Sequence, residues 1–219
     1  MQTTKRTAWE FLWYALYAFA GLGLEFLLLG VVEPMLFPGT EAAAYTAGQR
    51  IFHWSLTSLC WGLLAALLVL RARRCLAFSV RGRRPGPGGV AGAALLAALC
   101  VALNAWDWGT LKLLGEWQAK GGALFAFQYL YYLLEVGLVV LIVAFGQRFG
   151  EGLLGRESRF PFGGVLLCCT WGAVHILSRG SVSAGLGTMA FSLAYGGIYL
   201  LLGRDLRWAY AATALAFLV

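Results

Sequence analysis

Glu135 is the residue whose type and surroundings most favour chemistry in this sequence. It lies within a long apolar stretch, and Gln128, Tyr131 and Tyr132 precede it by seven, four and three positions. This spacing places all four side chains on one face of a helix. A charged group inside an apolar helix costs about 2.5–3.5 kcal/mol on membrane-insertion scales, so its presence indicates a functional site. A carboxylate in such a place could act as a general base for a water molecule.

His175 is the second candidate. It stands four residues after Trp171 and four residues before Arg179, at the end of another apolar stretch. An imidazole donates or accepts a proton near neutral pH, so it would complement Glu135 if the fold brings the two together. The alternative is a histidine that only makes a hydrogen bond in the core. We predict Glu135 and His175 as the catalytic residues.

Other polar residues lie near the ends of the apolar stretches and could line the same site. Near a membrane interface such residues cost little, because their side chains reach water, and a tyrosine there can belong to an aromatic belt. A shared wet cavity would instead satisfy several of them together. The predicted ligand-binding residues are Gln128, Tyr132, Asn104, Asp107, Glu25, His53 and Arg179.

A metal site is a further alternative for the same residues. His53, His175 and carboxylates from Glu25, Asp107 or Glu135 would form a mixed ligand set that divalent metals accept. Each of these residues belongs to a different apolar stretch, so their spacing does not define a site. The sequence therefore specifies neither a metal nor another cofactor.

The composition indicates a membrane protein. Apolar residues make up 60% of the 219 residues and charged residues 12%, and the mean hydropathy is +0.74. Soluble domains are about 45–50% apolar and about 25% charged, so the composition excludes that class. We predict an all-α polytopic bundle of six or seven transmembrane helices in a single integral membrane domain, residues 1–219. The predicted spans are residues 8–37, 51–70, 90–108, 123–145, 162–177, 182–202 and 206–219.

The basic residues predict how the bundle is oriented. If successive spans cross the membrane in opposite directions, 13 of the 17 lysines and arginines lie on the same side as the N-terminus. Because loops rich in lysine and arginine stay on the cytoplasmic side, we predict a cell-membrane protein with a cytoplasmic N-terminus. Residues 71–84 would then form a basic cytoplasmic loop that contacts lipid headgroups, and residues 81–89 are predicted to be flexible. The candidate site would open to the outer leaflet. This loop lacks the aromatic residues of a nucleic-acid-binding surface, so no nucleic-acid partner is expected.

Several local patterns give further expectations. Proline disfavours helical geometry in the residue before it, so the first helix should end at Glu33-Pro34. A short interfacial helix is predicted around Leu111–Trp117, and residues 147–160 are predicted as a polar connection. Small residues spaced four apart in the sixth span let helices approach closely, so that span should pack centrally. These residues are Ala184, Thr188, Ser192 and Gly196. The five cysteines include no CxxC pair, so no disulfide framework or zinc ribbon is indicated.

Residues 127–219 contain two motifs that resemble those of the CPBP (CAAX protease and bacteriocin-processing, or Abi) family of intramembrane proteases. That family carries Glu-Glu-x-x-x-Arg on one helix, Phe-x-x-x-His on the next, and His-x-x-x-Asn/Asp near the end. Here Tyr-Leu-Leu-Glu135 keeps one glutamate of the first motif, and Trp171-Gly-Ala-Val-His175 is an aromatic version of the second. The last segment, Arg207–Val219, contains no histidine or asparagine for the third motif. The resemblance implies a divergent family member in which Glu135 activates a water and His175 donates a proton or contacts the oxyanion.

Three function classes follow from these observations. The first is an intramembrane hydrolase or peptidase that acts on a peptide or a lipid from the outer leaflet. The second is a transporter or ligand-binding protein with an outward-facing vestibule; the apolar inner halves of the spans offer no polar path for transport. The third is a membrane scaffold or accessory subunit, which would form a homo-oligomer or contact a partner membrane subunit. Membrane lipids are expected partners in all three.

Overall fold

The computed structural model describes residues 2–219, with side chains from Thr7 onward. Lys5 and Arg6, counted above in the orientation, therefore lie outside the described side chains. Among the described residues, five helices are long and apolar enough to cross a membrane, fewer than the six or seven predicted. The predicted all-α polytopic bundle is confirmed. The five long helices are Thr7–Leu36, Ala47–Cys75, Pro87–Trp108, Gly122–Leu154 and Val182–Leu201. Two shorter apolar segments, Phe162–Ser178 and Leu206–Leu218, complete the bundle.

The helix bounds follow the predicted spans with several extensions. The helices are α1 (Gln2–Leu22), α2 (Leu24–Leu27), α3 (Glu33–Leu36), α4 (Ala47–Cys75), α5 (Pro87–Trp108), α6 (Lys112–Lys120), α7 (Gly122–Leu154), α8 (Phe162–Leu167), α9 (Ala173–Ser178), α10 (Val182–Leu201) and α11 (Leu206–Leu218). Helix α4 begins at Ala47, earlier than predicted, because Thr46 and Gln49 form a capping box.

Pro34 does not end the first helix, so that prediction is wrong. A π-helical turn, Leu28–Val32, joins α2 to α3, and Pro34 lies in the first turn of α3. A proline lacks the N–H that would bond the carbonyl four residues earlier. The wider hydrogen-bonding pattern of the π turn just before Pro34 accommodates this loss. The helical path therefore continues to Leu36 and carries Glu33 with it.

Helix α7 forms the centre of the bundle. Every residue from 138 to 147 is buried, and α7 contacts α1, α4, α8 and α11. The sixth span, α10, which the sequence predicts as central, packs against α5, α8, α9 and α11 and makes fewer contacts with α7. Only part of the small-residue strip makes a close helix contact, where Gly196 lies against Gly164 of α8. Ala184 and Thr188 line a cavity instead.

The loops lie at two ends of the bundle. We call the end formed by residues 76–86, 155–161 and 202–205 the arginine end. There Arg204 donates from Nη2 to Glu151 Oε1 at 2.7 Å and to the Ser158 carbonyl at 2.9 Å. Glu151 also accepts from Gln147 at 2.9 Å, so α7 remains helical to Leu154. The predicted polar connection from residue 147 is therefore wrong over residues 147–154.

The basic loop is fixed at the arginine end, although the sequence predicts a flexible segment. Arg83 N–H donates to the Gly203 carbonyl at 2.8 Å, and Gly82 N–H donates to Asp205 Oδ2 at 3.2 Å. A Cβ at Gly82 would lie 2.3 Å from the Gly203 oxygen, so this close approach requires glycine. Asp205 also caps α11, and the Arg207 guanidinium beside it holds the pKa of that carboxyl below its usual value.

Candidate functional site

A cavity of about 1090 Å³ lies at the opposite end, which we call the cavity end. Helices α1, α2, α4, α5, α6, α7, α9, α10 and α11 all contribute residues to its wall. Aromatic and aliphatic side chains form much of this wall. The charged and strongly polar residues that line it are Glu25, Asn104, Asp107, Lys112, Gln128, Tyr132, Glu135, His175 and Arg179. We call this space the polar cavity.

The polar cavity brings together most of the residues singled out from the sequence. Both predicted catalytic residues line it, and so do six of the seven predicted ligand-binding residues. His53 does not line the cavity and lies behind Glu25. The shared location is a geometric result, and the roles assigned to these residues remain predictions.

Trp171 connects Glu135 with His175. The indole Nε1–H donates to Glu135 Oε1 at 3.1 Å, and His175 Nδ1 donates to the Trp171 carbonyl oxygen at 2.7 Å. A carbonyl can only accept, so this contact fixes the proton on Nδ1. The other atom of each functional group, Glu135 Oε2 and His175 Nε2, has no hydrogen-bond partner among the described residues. Both atoms are therefore available to a molecule in the cavity.

A π-helical turn, Cys168–Gly172, positions Trp171 and separates α8 from α9. Gly172 ends this turn where α10 approaches, since a Cβ there would lie 3.0 Å from Met189 Cα. Trp171 is buried, and its ring stands edge-on to His175 with centroids 4.6 Å apart. The indole and the imidazole therefore hold each other in place.

Glu116 anchors a second set of hydrogen bonds, and the sequence analysis did not select it. Tyr132 O–H donates to Glu116 Oε1 at 3.2 Å, and Gln128 Nε2 donates to Tyr132 Oη at 2.7 Å. Lys120 forms an ion pair with the other carboxylate oxygen of Glu116. The short helix α6 is thereby attached to the face of α7 that leads to Glu135.

Lys112 is the other residue that the sequence analysis missed. Its side chain is 9% exposed, and Nζ donates to the Phe217 carbonyl at 3.1 Å. Nζ also lies 4.4 Å from the Tyr132 ring centroid and 4.1 Å from that of Phe217. Burial lowers the pKa of Lys112 to about 8, although the negative charge of Glu135 opposes this change.

The spacing of α6 contains a signal for both missed residues. Lys112, Glu116 and Lys120 are four residues apart, so they share one face of a short helix. A charged face of this kind usually lies in water. Here it is turned towards α7 and α11, which makes Lys112 and Glu116 buried.

His53 forms a separate cluster with two carboxylates of the first helix. Its Nδ1 lies 2.7 Å from Glu33 Oε1, and its Nε2 lies 3.4 Å from Glu25 Oε1. Glu33 is 0% exposed, and its Oε2 has no hydrogen-bond partner in the described structure. Both ring nitrogens are occupied, so His53 is not free to ligate a metal.

The donor set for a metal is not assembled. Over the described residues, no three or more His, Cys, Asp or Glu side chains are grouped so that they could hold a metal ion. The alternative of a mixed site from His53, His175 and the carboxylates therefore lacks support from the geometry. The cavity's own groups, Glu135 and His175 in particular, are those of acid–base chemistry.

The polar cavity is closed towards the arginine end. Its deepest described lining residues are aromatic, and on α7 the lining ends at Glu135. Beyond that point the buried residues 138–147 fill the centre of the bundle. Trp61 closes the wall on α4 and donates from Nε1 to the Gly21 carbonyl at 2.7 Å. No polar path continues through the described part of the chain.

Comparisons with known proteins add no relative. The resemblance to CPBP-type intramembrane proteases therefore rests on the two motifs and remains a prediction. No protein-family model, curated protein or solved structure matches this chain.

Proposed function

We propose that this membrane protein is an intramembrane hydrolase in which Glu135 is the general base. The observation that carries the proposal is the arrangement around Trp171, which holds one atom of Glu135 and one of His175. The remaining carboxylate oxygen and ring nitrogen are left for a reacting molecule. A base, a second proton-bearing group and a sheltered cavity are the parts that acyl hydrolysis requires.

The reaction divides one water molecule between the two products. Glu135 Oε2 takes a proton from the water, whose oxygen attacks the carbonyl carbon of an ester or amide. His175, which carries its proton on Nδ1, accepts a hydrogen bond at Nε2 from the same water and orients it for the attack. The bond to the leaving oxygen or nitrogen then breaks, and Glu135 returns the proton to that atom. The products are a carboxylic acid and an alcohol or amine.

The location of the cavity supports a substrate that enters from the membrane. Its wall combines charged groups with the rings of Phe19, Trp54, Phe191 and Phe217. An amphipathic peptide or lipid would match both parts. The excess of basic residues at the arginine end supports an orientation in the cell membrane with a cytoplasmic N-terminus. The cavity would then open to the outer leaflet.

Hydrolysis is tested by following oxygen from labelled water. The full-length protein in liposomes is supplied with lipid extracts and with membrane-soluble peptides in water enriched in ¹⁸O, and the released acids are analysed by mass spectrometry. We expect labelled acids from the wild type and a loss of at least about 100-fold in Glu135→Gln, since general bases contribute 10²–10⁴-fold. The amide keeps the shape of the side chain, so the fold should be retained.

Glu10→Gln is the matched control, because Glu10 on α1 does not line the polar cavity. It should hydrolyse at the wild-type rate. The proposal is wrong if the wild type releases no labelled acid, or if Glu135→Gln remains as active as Glu10→Gln.

Ligand binding without turnover is the second candidate function. The closed floor of the cavity favours it over transport, because a bound molecule has no described exit towards the arginine end. In that case native mass spectrometry of the purified protein would detect a bound amphipathic molecule that Glu135→Gln also retains, while no labelled acid is formed.

A further inference from the structure

Lys112 is a buried cation that the chemistry proposed above does not use. It lines the polar cavity, and its ammonium group makes one hydrogen bond, to the backbone carbonyl of Phe217. Within the described chain no carboxylate lies close enough to form an ion pair with it, whereas Lys120 on the same helix is paired with Glu116. The ammonium group has three N–H donors, so Lys112 has donors left for a ligand.

Arg179 places a second unpaired cation in the same wall. It follows His175 by one helical turn at the end of α9, and it is exposed and free of ion pairs in the described structure. Arg179 lines the polar cavity, as Lys112 does. Two cations that repel each other across a cavity are both stabilised when an anion occupies the space between them.

Both cations lie about one helical turn from the proposed catalytic groups. Lys112 stands over the Tyr132 ring, about one helical turn before Glu135, and Arg179 lies one turn beyond His175. One turn corresponds to about 5–6 Å along the helix. If the two cations hold an anionic headgroup, an acyl bond about 5–6 Å from that headgroup would lie beside Glu135.

The cavity wall favours a lipid over a peptide as the anionic molecule. The segments that line it are mostly helical, so their backbone N–H and C=O groups are largely bonded within the helices. A peptide would have to bury its own backbone groups without such partners, which is unfavourable in apolar surroundings. An acyl chain has no polar groups and would pack against the aromatic wall.

We propose that Lys112 and Arg179 bind the phosphate of an anionic lipid, whose acyl chain lies along the polar cavity. This inference rests on the proposed function and names its substrate class, since the acyl bond of such a lipid would lie beside Glu135. The chemistry that recognises the headgroup is charge-assisted hydrogen bonding from an ammonium and a guanidinium group. The two cations favour a phosphate without a neighbouring ammonium group, although Glu25 and Asp107 lie in the same wall.

The experiment measures binding in the absence of turnover. Glu135→Gln is used as the background, and lauroyl lysophosphatidic acid, lauroyl lysophosphatidylcholine, an N-lauroyl peptide with a free carboxylate and inorganic phosphate are titrated calorimetrically in nonionic detergent. We expect the lysophosphatidic acid to bind at least about tenfold more tightly than the choline lipid, and free phosphate to show no measurable binding.

Substitutions test whether Lys112 itself, and not the overall charge of the protein, determines the affinity for the acidic lipid. Lys112→Met keeps the length and apolar stem of the side chain and should weaken lysophosphatidic acid binding at least about tenfold. Lys112→Arg should retain most of the affinity and shows that the site still folds. Arg84→Met is the control, because Arg84 is exposed at the arginine end and does not line the polar cavity, and it should stay within about threefold.

The inference is overturned if Lys112→Met binds the acidic lipid as tightly as Arg84→Met does. Equal binding of the acidic and choline lipids, tighter binding of the acidic peptide, or binding of free phosphate alone would also overturn it. Because the background variant lacks the general base, these results do not depend on hydrolysis. Tight binding together with an absence of labelled acid from the wild type would refute the hydrolase and leave the lipid site intact.

Discussion

At the scale of single residues, His53 determines how the first helix is held against α4. Its ring lies between Glu33 and Glu25, which the π turn Leu28–Val32 places on the same side of the helical path. Glu33 is fully buried, and its Oε1 lies 2.7 Å from His53 Nδ1. A buried carboxylate is tolerated only while a partner compensates it. His53 is thus the group that permits Glu33 inside the bundle.

We expect His53→Leu to destabilise the protein by about 3–5 kcal/mol, because it leaves Glu33 buried without its partner. Unfolding in mixed detergent micelles, followed by circular dichroism, measures this loss. Glu25→Gln is the comparison, since Glu25 is 26% exposed and its contact with His53 is longer, at 3.4 Å. It should cost less than about 1 kcal/mol. Equal losses in the two variants would show that burial of Glu33 does not decide the stability of this cluster.

At the scale of helices, the contact of α10 with α8 depends on the absence of side chains. A Cβ at Gly196 would lie 2.6 Å from Gly164 Cα and 2.8 Å from Gly164 N. Backbone atoms cannot move aside as the end of a flexible side chain can, so a larger residue must push the two helices apart. Ser192 in the same strip is also fully buried, whereas Ala184 and Thr188 line the polar cavity and have more space.

Gly196→Leu should therefore lower the yield of folded protein, and Gly196→Ala should cost about 1–3 kcal/mol through overpacking. The same substitution at Gly187 on α10 is the matched control, since a Cβ there meets nothing within 4 Å. Size-exclusion chromatography and thermal unfolding of the detergent-solubilised variants compare the two positions. Unchanged yield and melting temperature for Gly196→Leu would contradict the close contact.

The sequence predicts the helices well, because long apolar stretches can only satisfy their backbone groups in a membrane as helices. It predicts the ends of the helices poorly where a contact with a residue distant in the sequence determines them. Helix α7 continues past Gln147 because Glu151 binds Arg204, which lies 53 positions further along the chain. The π turn before Pro34 likewise cannot be recognised from apolar composition.

The residues of the candidate site can also be predicted only in part from the sequence. Glu135 and His175 are recognisable because a polar group in an apolar stretch is costly wherever it points. Lys112 and Glu116 lie in a mixed segment, where charged residues are usual. Their burial depends on the carbonyl of Phe217 and on Tyr132, which the fold brings to α6 from elsewhere.

At the scale of the whole molecule, the two ends of the bundle differ in how they use charge. At the arginine end, Glu157 pairs with Arg83 and Arg204, and these contacts join three loops. At the cavity end, Lys112 and Arg179 have no carboxylate partner in the described structure and border an open space. Ion pairs thus join the loops at one end, whereas two cations at the other end remain unpaired beside a cavity in the described structure.

This difference leads to a prediction about orientation in the membrane. Loops rich in arginine are retained on the cytoplasmic side, so the arginine end should face the cytoplasm and the polar cavity the exterior. Arg84 and Glu41 are exposed at the arginine end and the cavity end, respectively, and serve as reporter positions. Each is replaced by cysteine in a background whose five native cysteines are changed to serine, because Cys75 and Cys169 are exposed. On intact cells, a membrane-impermeant maleimide should label Glu41→Cys, whereas Arg84→Cys should react only after lysis. The reverse labelling pattern would place the cavity towards the cytoplasm and would require the lipid to enter from the inner leaflet.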